Sequence, residues 1–474
     1  MSEEEKQDSG GFMVVSSIGF FLISGIVMSL GWGLRGYIGG GPYGAMIPGC
    51  FVALLLAMVL DFRKETAALV AAFGAIGIGI GGEMTYGQTL GFVREMDTLA
   101  WGVLGCTVKG GVWGLLGGAI LGLGFSTDKY DRKSIITALA IMVVAFHLGR
   151  ELINEPKLIY FSNREDRPRD ESWAGLLFGA VAFLAYLRSH GGRDAFRIPK
   201  SFAIHGLVGG AIGFGVGCLF LAFGPDIKWI GWWKTMEFFF GFSFGGALGL
   251  CACRHFAELM ANGKKGMAPP ETWKPVGAMV AIVATVFASY AVLPEILPEG
   301  FFDRNTWGSI LVGKGYGLVV NFAFVGSAVL VTALFSSQAA WQAAISLTFF
   351  HTVLDYTRDL DDPARFGFVW STPVQWIVTL VLTIFLGILV TRTLRRKRAL
   401  YSLLMLAVWS CYATACARSF LNLNFVSAVD GQSYFENLLG AHPSIVFVHG
   451  TFTLTALIVT FVRPRWNDEE LEID

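Results

Sequence analysis

A succession of apolar stretches, each long enough to cross a bilayer as a helix, limits what this chain can fold into more than any other feature. A spanning helix needs about 20 mostly apolar residues, with a range of roughly 17–25. Such stretches lie near residues 12–34, 43–62, 66–86, 99–125, 134–154, 173–188, 201–224, 235–257, 273–293, 308–335, 338–356, 371–391, 399–419 and 443–463. The two that meet near residue 336 also read as one broken unit. The expected fold class is therefore all-α, a polytopic integral membrane protein with about 14 transmembrane helices. Composition agrees with lipid as the solvent. Of 474 residues, 54% are hydrophobic and only 15% charged, where a soluble chain carries roughly 25% charged residues. Net charge is zero, which gives no reason to expect nucleic acid as a partner. The seven cysteines sit in or beside apolar stretches and form no disulfide framework. Cys251 and Cys253, two apart, diverge on a helix and read as packing residues rather than a metal pair.

The polar, acidic start MSEEEKQDSGG lacks the basic region of a signal peptide, and the apolar run after it ends in LGWGLRG, a poor cleavage site. The run is expected to be a retained first span. The positive-inside rule then orders the loops. With the N-terminus cytoplasmic, the inner loops collect Arg63 and Lys64, then Lys129, Arg132 and Lys133, then Arg188 to Lys200, Lys264 to Lys274, Arg392 to Arg398, and finally Arg463 and Arg465. The opposite loops are poorer in bases, and theirs stand beside acids, as in NREDRPRDE at 163–171. Both termini are expected in the cytoplasm. Compact loops and the missing signal peptide suggest a bacterial cytoplasmic (inner) membrane.

Internal repeats refine the organisation. GAIGIGIG (74–81) returns as GAIGFGVG (210–217), and GLLGGAILG (114–122) as GFSFGGALG (241–249), at offsets of about 130 residues. An even number of spans per copy makes this a tandem parallel repeat. The expected units are a polar tail at 1–11, four-helix repeats at 12–130 and 131–260, and a connecting helix pair at 261–337. A C-terminal four-helix unit at 338–463 and an acidic tail at 464–474 complete the chain. The glycine runs read first as helix contacts, since small residues let membrane helices approach closely. In GGGPYGAMIPG (39–49), Pro42 or Pro48 could also interrupt a helix and free backbone groups to line a cavity. A soluble nucleotide-binding glycine loop needs a preceding strand, which is absent.

Ionisable side chains at membrane depth cost about 2.5–3.5 kcal/mol each by insertion scales, so each is a functional candidate. The set comprises Arg35, Glu83, Lys109, His147, Arg150, Glu151, Glu237, Lys314, His351, Asp355, Arg418 and His449. With the loops ordered as above, nearly all fall in the outer-leaflet half, as expected of a charged cavity open to the outside. Snorkelling to the interface or pairing with a neighbour is the plain structural reading of any one of them. His147 with Glu151, and His351 with Asp355, are four apart and share a helix face. Each pair could relay protons, act as acid and base, or join His449 or Glu83 around a divalent metal; structural helix locking is the plainer reading. The tryptophans near the outer boundary read as an interfacial belt.

These features lead to an expected secondary transporter, proton- or cation-coupled, for a small polar or anionic solute. Arg35, Arg150, Arg418, Lys109 and Lys314 would meet the solute. Glu83, His147, Glu151, Glu237, His351, Asp355 and His449 would carry the coupling ion. No cofactor and no resident metal are expected; the partners are the lipid bilayer and the solute, with a homo-oligomer left open. The alternative is a membrane-embedded enzyme at the extracytoplasmic face, a glycosyl or acyl transferase or a metal-dependent hydrolase, favoured by the one-sided placement of charge.

Overall fold

The computed structural model describes residues 16–38, 40–163, 169, 171–270, 277–278, 280–282, 321–348, 372–424 and 443–462. The described residues form helices and connecting turns, without strands. In chain order these include α1 (Ser17–Ile38), α2 (Gly41–Val59), α3 (Lys64–Ile80), the short α4 (Gly87–Gly91), α5 (Leu99–Gly124) and α6 (Arg132–Gly149). Then come α7 (Trp173–Gly217), the short α8 (Leu219–Phe223), α9 (Trp232–Arg254), α10 (Phe256–Lys265), α11 (Phe322–Phe335) and α12 (Ser337–Trp341). The last are α13 (Thr372–Thr393), α14 (Ala399–Asn424) and α15 (Pro443–Phe461). Among the described residues, nine helical segments are long and apolar enough to cross a membrane. The expected span at 273–293 lies largely outside the described residues, as do parts of those at 308–335 and 338–356.

One of the nine, Trp173–Phe223, covers two of the expected spans. At about 1.5 Å per residue such a segment far exceeds a hydrocarbon core of about 30 Å. It is broken at Gly192, whose φ of 71° and ψ of −167° suit glycine alone. The residues before Gly192 pack on α6 (Gly175 against Phe146), those after it on α5 and α9. Pro42 opens α2 in its first turn, where proline costs no hydrogen bond, whereas α2 continues through Pro48. A helix interruption at Pro48 is therefore ruled out; instead Pro48 packs against Gly31 of α1.

Helix α3 is apolar all round, and Thr66 to Ile80 are buried without exception, as expected of a helix at the centre of a bundle. It packs against α2, α5, α11 and α12. The most extensive helix pairs are α5 with α7 and α1 with α9. In the first, Gly110 faces Gly210 and Gly114 faces Gly206, backbone against backbone, with Gly118 on the Phe202 carbonyl. In the second, Gly241, Gly245 and Gly249 lie on Met28, Ser24 and Phe20. In lipid no hydrophobic force separates helix from solvent, so this close van der Waals contact carries the association.

Polar clamps close the two ends of the bundle. At one end Lys129 Nζ and Arg197 Nη2 each reach Glu258 at 2.7 Å. There, too, Asn262 Nδ2 donates to the Phe125 carbonyl and Thr66 Oγ1 to the Gly263 carbonyl. At the other end the chain between α3 and α5 folds inward, and Arg35, Lys109 and Glu237 gather around it.

Candidate functional site: a buried charge cluster at one end of the bundle

The last turn of α1 carries Arg35, 3% exposed. Its guanidinium lies 5.4 Å from the centre of the Trp113 ring and 5.5 Å from those of Trp32 and Tyr86, within cation–π range. Arg35 Nη1 donates to the Tyr86 hydroxyl at 2.7 Å, and that hydroxyl donates to Glu237 Oε1 at 3.2 Å. Glu237, 1% exposed on the first turns of α9, also accepts Trp233 Nε1 at 3.0 Å and Lys234 Nζ at 2.5 Å. Lys234 stands 5.4 Å from the Tyr37 ring, and Tyr37 meets His449 of α15 edge-on at 5.3 Å. His449 Nδ1 lies 3.8 Å from Cys416 Sγ. Arg35, Tyr86, Glu237, Lys234, Tyr37 and His449 thus form one chain of contacts through α1, the inward-folded segment, α9 and α15.

Gly36 makes room for the pair at its centre. A Cβ there would lie 2.5 Å from Glu237 Oε2 and closer still to Lys234 Nζ. Among the described residues the charges of this group do not cancel: Arg35 and Lys234 against Glu237 leaves two positive minus one negative, a surplus of one. Arg35 Nε, buried, has no hydrogen-bond partner among the described residues.

A second group adjoins the first through the neighbours of Tyr86. Lys109, fully buried on α5, donates to the Thr85 carbonyl at 2.7 Å, Thr89 Oγ1 at 2.8 Å and Glu171 Oε1 at 2.6 Å. An ammonium has three protons, and all three are spent here. Glu171 also accepts Ser162 Oγ at 2.8 Å and the Phe161 amide at 3.0 Å. Such an ion pair persists in a low-dielectric site because its remaining lone pairs are satisfied.

The other expected site residues take different places. Glu83 Oε1 accepts the Phe322 amide at 2.5 Å, at the N-terminus of α11, where a carboxylate is favoured by the exposed N–H groups. His147 and Glu151 approach to 3.9 Å with side chains 22% and 28% exposed. They lie among the exposed Val144, Leu148 and Leu152, on the rim of the bundle rather than in its interior. Arg150 pairs with Glu155 at 2.7 Å, also partly exposed. Among the contacts of the described residues, none joins His147, Arg150 or Glu151 to the Arg35–Glu237 group. Lys314, His351 and Asp355 lie outside the described residues, as does the side chain of Arg418. Among the described residues no three His, Cys, Asp or Glu converge as metal ligands would.

Two features depart from the sequence reading. Arg35 and Glu237 are buried beside Trp32, Trp113, Tyr86 and Trp233 rather than lining an open vestibule, while Lys234, Tyr86 and Trp233 remain partly exposed. And several residues of this group and of the adjoining Lys109 pair, Tyr86, Trp233, Lys234 and Glu171 among them, are not among the expected site residues. Lys234 and Trp233 stand three and four residues before Glu237, a spacing that marks one helix face. Tyr86 and Glu171 carry no such signal, because each is in a connecting segment and reaches its partner through the fold.

No family model matches the chain, and neither a curated protein nor a solved structure matches it. Function rests on the chemistry of the cluster alone.

Proposed function

We propose that the protein is a secondary carrier for a small anionic or polar solute, coupled to protons or another cation. The observation that carries this reading is the surplus positive charge, among the described residues, of a largely buried, aromatic-walled group. There Arg35 and Lys234 share one carboxylate, and the buried Arg35 Nε has no described partner. An anion entering between them would complete the neutralisation that Glu237 begins, with bidentate geometry available on the guanidinium. Protonation of Glu237 would loosen Lys234 and Tyr86 and raise the demand for an external anion, which links proton and solute binding. Lys109 acts differently in this reading. With its three donors engaged it fixes the Thr85–Thr89 segment, and so the position of Tyr86, rather than meeting the solute. About 14 spans, a tandem parallel repeat, cytoplasmic termini and a bacterial inner membrane complete the proposal.

One observation favours the enzyme alternative. The helix contacts beyond Lys109 are apolar: α3 is apolar from Ala67 to Ile80, and α5 meets α7 through glycine backbone. Among the described residues no polar path runs between these helices, as a carrier needs in at least one of its states. Transport measurements separate the two. Purified protein in liposomes loaded with a pH-sensitive dye is given gradients of lactate, succinate, glutamate or phosphate. A carrier moves protons with one of these anions, and Glu237→Gln uncouples the two. Absence of anion-dependent proton flux across the panel would contradict the carrier reading.

A further inference from the structure

At the end of the bundle opposite the Arg35 cluster, three side chains stand in an order with its own chemistry. Ser201 of α7 has its Oγ 2.9 Å from His255 Nε2, and His255 Nδ1 lies 3.7 Å from Glu258 Oε2. A hydroxyl on one imidazole nitrogen and a carboxylate on the other is the arrangement that activates serine as a nucleophile, recognised by geometry rather than by fold. The geometry points to a serine esterase site, with Ser201 the nucleophile, His255 the general base and Glu258 the positioning residue. Its substrates are amphiphilic carboxylic esters drawn from the bilayer boundary.

The surroundings support each assignment. Cys251 Sγ, 3.3 Å away, donates to Ser201 Oγ, which leaves the serine proton for the imidazole. Burial holds the His255 pKa below its ordinary value; Glu258 opposes this, while Arg197, Arg254 and His205 add to it. Burial thus favours the neutral ring, the form in which an imidazole acts as a base. Glu258 is anchored by Lys129 and Arg197, so its carboxylate is held in place. The 3.7 Å separation from Nδ1 is an ion-pair rather than a hydrogen-bond distance, and such contacts often tighten only with substrate bound. The site is half-buried and lies between two kinds of surface. Ile204, Val208 and Phe256 present exposed apolar side chains, at 45%, 49% and 39%. Lys129, Arg197 and Arg254 supply positive charge. An acyl chain fits the first and an anionic head group the second.

The reaction balances with water as co-substrate. Ser201 Oγ attacks the ester carbonyl carbon while its proton passes to His255 Nε2. The bond from that carbon to the alcohol oxygen breaks, and the alcohol leaves with the proton. Water then adds to the acyl-serine, giving a proton to His255. The bond to Ser201 Oγ breaks, the carboxylic acid departs, and His255 returns the proton to the serine. This site shares no residue with the proposed carrier site, so either can fail without the other.

The test uses the full chain in detergent, treated with an alkyl fluorophosphonate, which forms a phosphonyl ester on an activated serine with loss of fluoride. Mass spectrometry of the digested protein is expected to place the adduct on Ser201, and prior heat denaturation to abolish it. Hydrolysis of p-nitrophenyl octanoate should disappear in Ser201→Ala and fall about 10²-fold or more in His255→Gln. Glu258→Gln should shift the acid limb of the pH–rate profile to lower pH, because the carboxylate that favours imidazolium is gone, a change that mere loosening of the fold would not produce. An adduct on another serine, no adduct on the folded wild-type protein, or equal labelling of folded and denatured chains would overturn the assignment.

Discussion

At the scale of single residues, the Tyr86 hydroxyl is the joint on which the buried charges depend. It accepts a hydrogen bond from Arg35 and donates one to Glu237. Tyr86→Phe leaves both ions short of a partner, at a cost of about 1–3 kcal/mol for each buried group left unsatisfied. Glu237→Leu strands Lys234 as well, and breaking a buried pair from one side costs about 3–5 kcal/mol. Thermal unfolding in detergent is expected to rank wild type above Tyr86→Phe, and Tyr86→Phe above Glu237→Leu. The Lys109–Glu171 pair makes a different prediction. Both side chains are fully buried, so Lys109→Met or Glu171→Gln alone leaves the other partner exposed to the low-dielectric interior. The double variant Lys109→Met with Glu171→Gln should unfold at a higher temperature than Lys109→Met, the variant that strands a carboxylate. If the double variant is the less stable of the two, the pair is not the unit described.

At the scale of elements, the apolar stretches were legible as helices because length and hydropathy suffice in lipid, where every backbone group must be bonded within its own segment. The boundaries of α5 differ by a residue at one end from those expected. What could not be read was which helix faces which. Glycines recur on α3, α5, α7 and α9 alike, and their spacing does not reveal that Gly114 meets Gly206 while Gly245 meets Ser24. The same limit hid the site. Arg35, Lys109 and Glu237 stood out by their charge within apolar runs, but Tyr86, an ordinary aromatic in a short connection, became significant only through α1 and α9. The glycine contacts make a prediction of their own. A side chain at Gly114 drives into the Gly206 carbonyl, whereas Gly87, on α4, has open space around its missing Cβ. Gly114→Leu should destabilise the protein by more than the about 1–3 kcal/mol typical of overpacking, since backbone must move. Gly87→Ala should leave the unfolding temperature nearly unchanged. Equal effects would deny that backbone contact holds α5 to α7.

At the scale of the whole molecule, the two ends of the bundle differ in kind. One holds Arg35 and Glu237 buried among aromatic rings; the other is tied by a partly exposed clamp on Glu258. Burial raises the pKa of that carboxyl, but the hydrogen bonds from Lys129 and Arg197 outweigh it and hold the group below its ordinary value. Because the folded pKa is the lower one, the clamp's contribution is complete above the ordinary carboxylate pKa and is lost as the pH falls through the depressed value. Unfolding temperatures taken from pH 7 down to pH 3 should therefore drop more steeply for wild type than for Glu258→Gln. Parallel curves would remove the clamp from the account. The first end is where we propose that Arg35 and Lys234 together hold an anion which Glu237 only partly replaces. Tryptophan fluorescence reads such binding, since Trp32 and Trp113 line the Arg35 guanidinium. Protein in nanodiscs is titrated with lactate, succinate, glutamate and phosphate, and a Trp113→Phe variant identifies the reporting ring. A saturable change is expected with at least one anion, abolished in Arg35→Gln; no saturable change with any of them, or an unaltered one in Arg35→Gln, would contradict anion binding at this cluster.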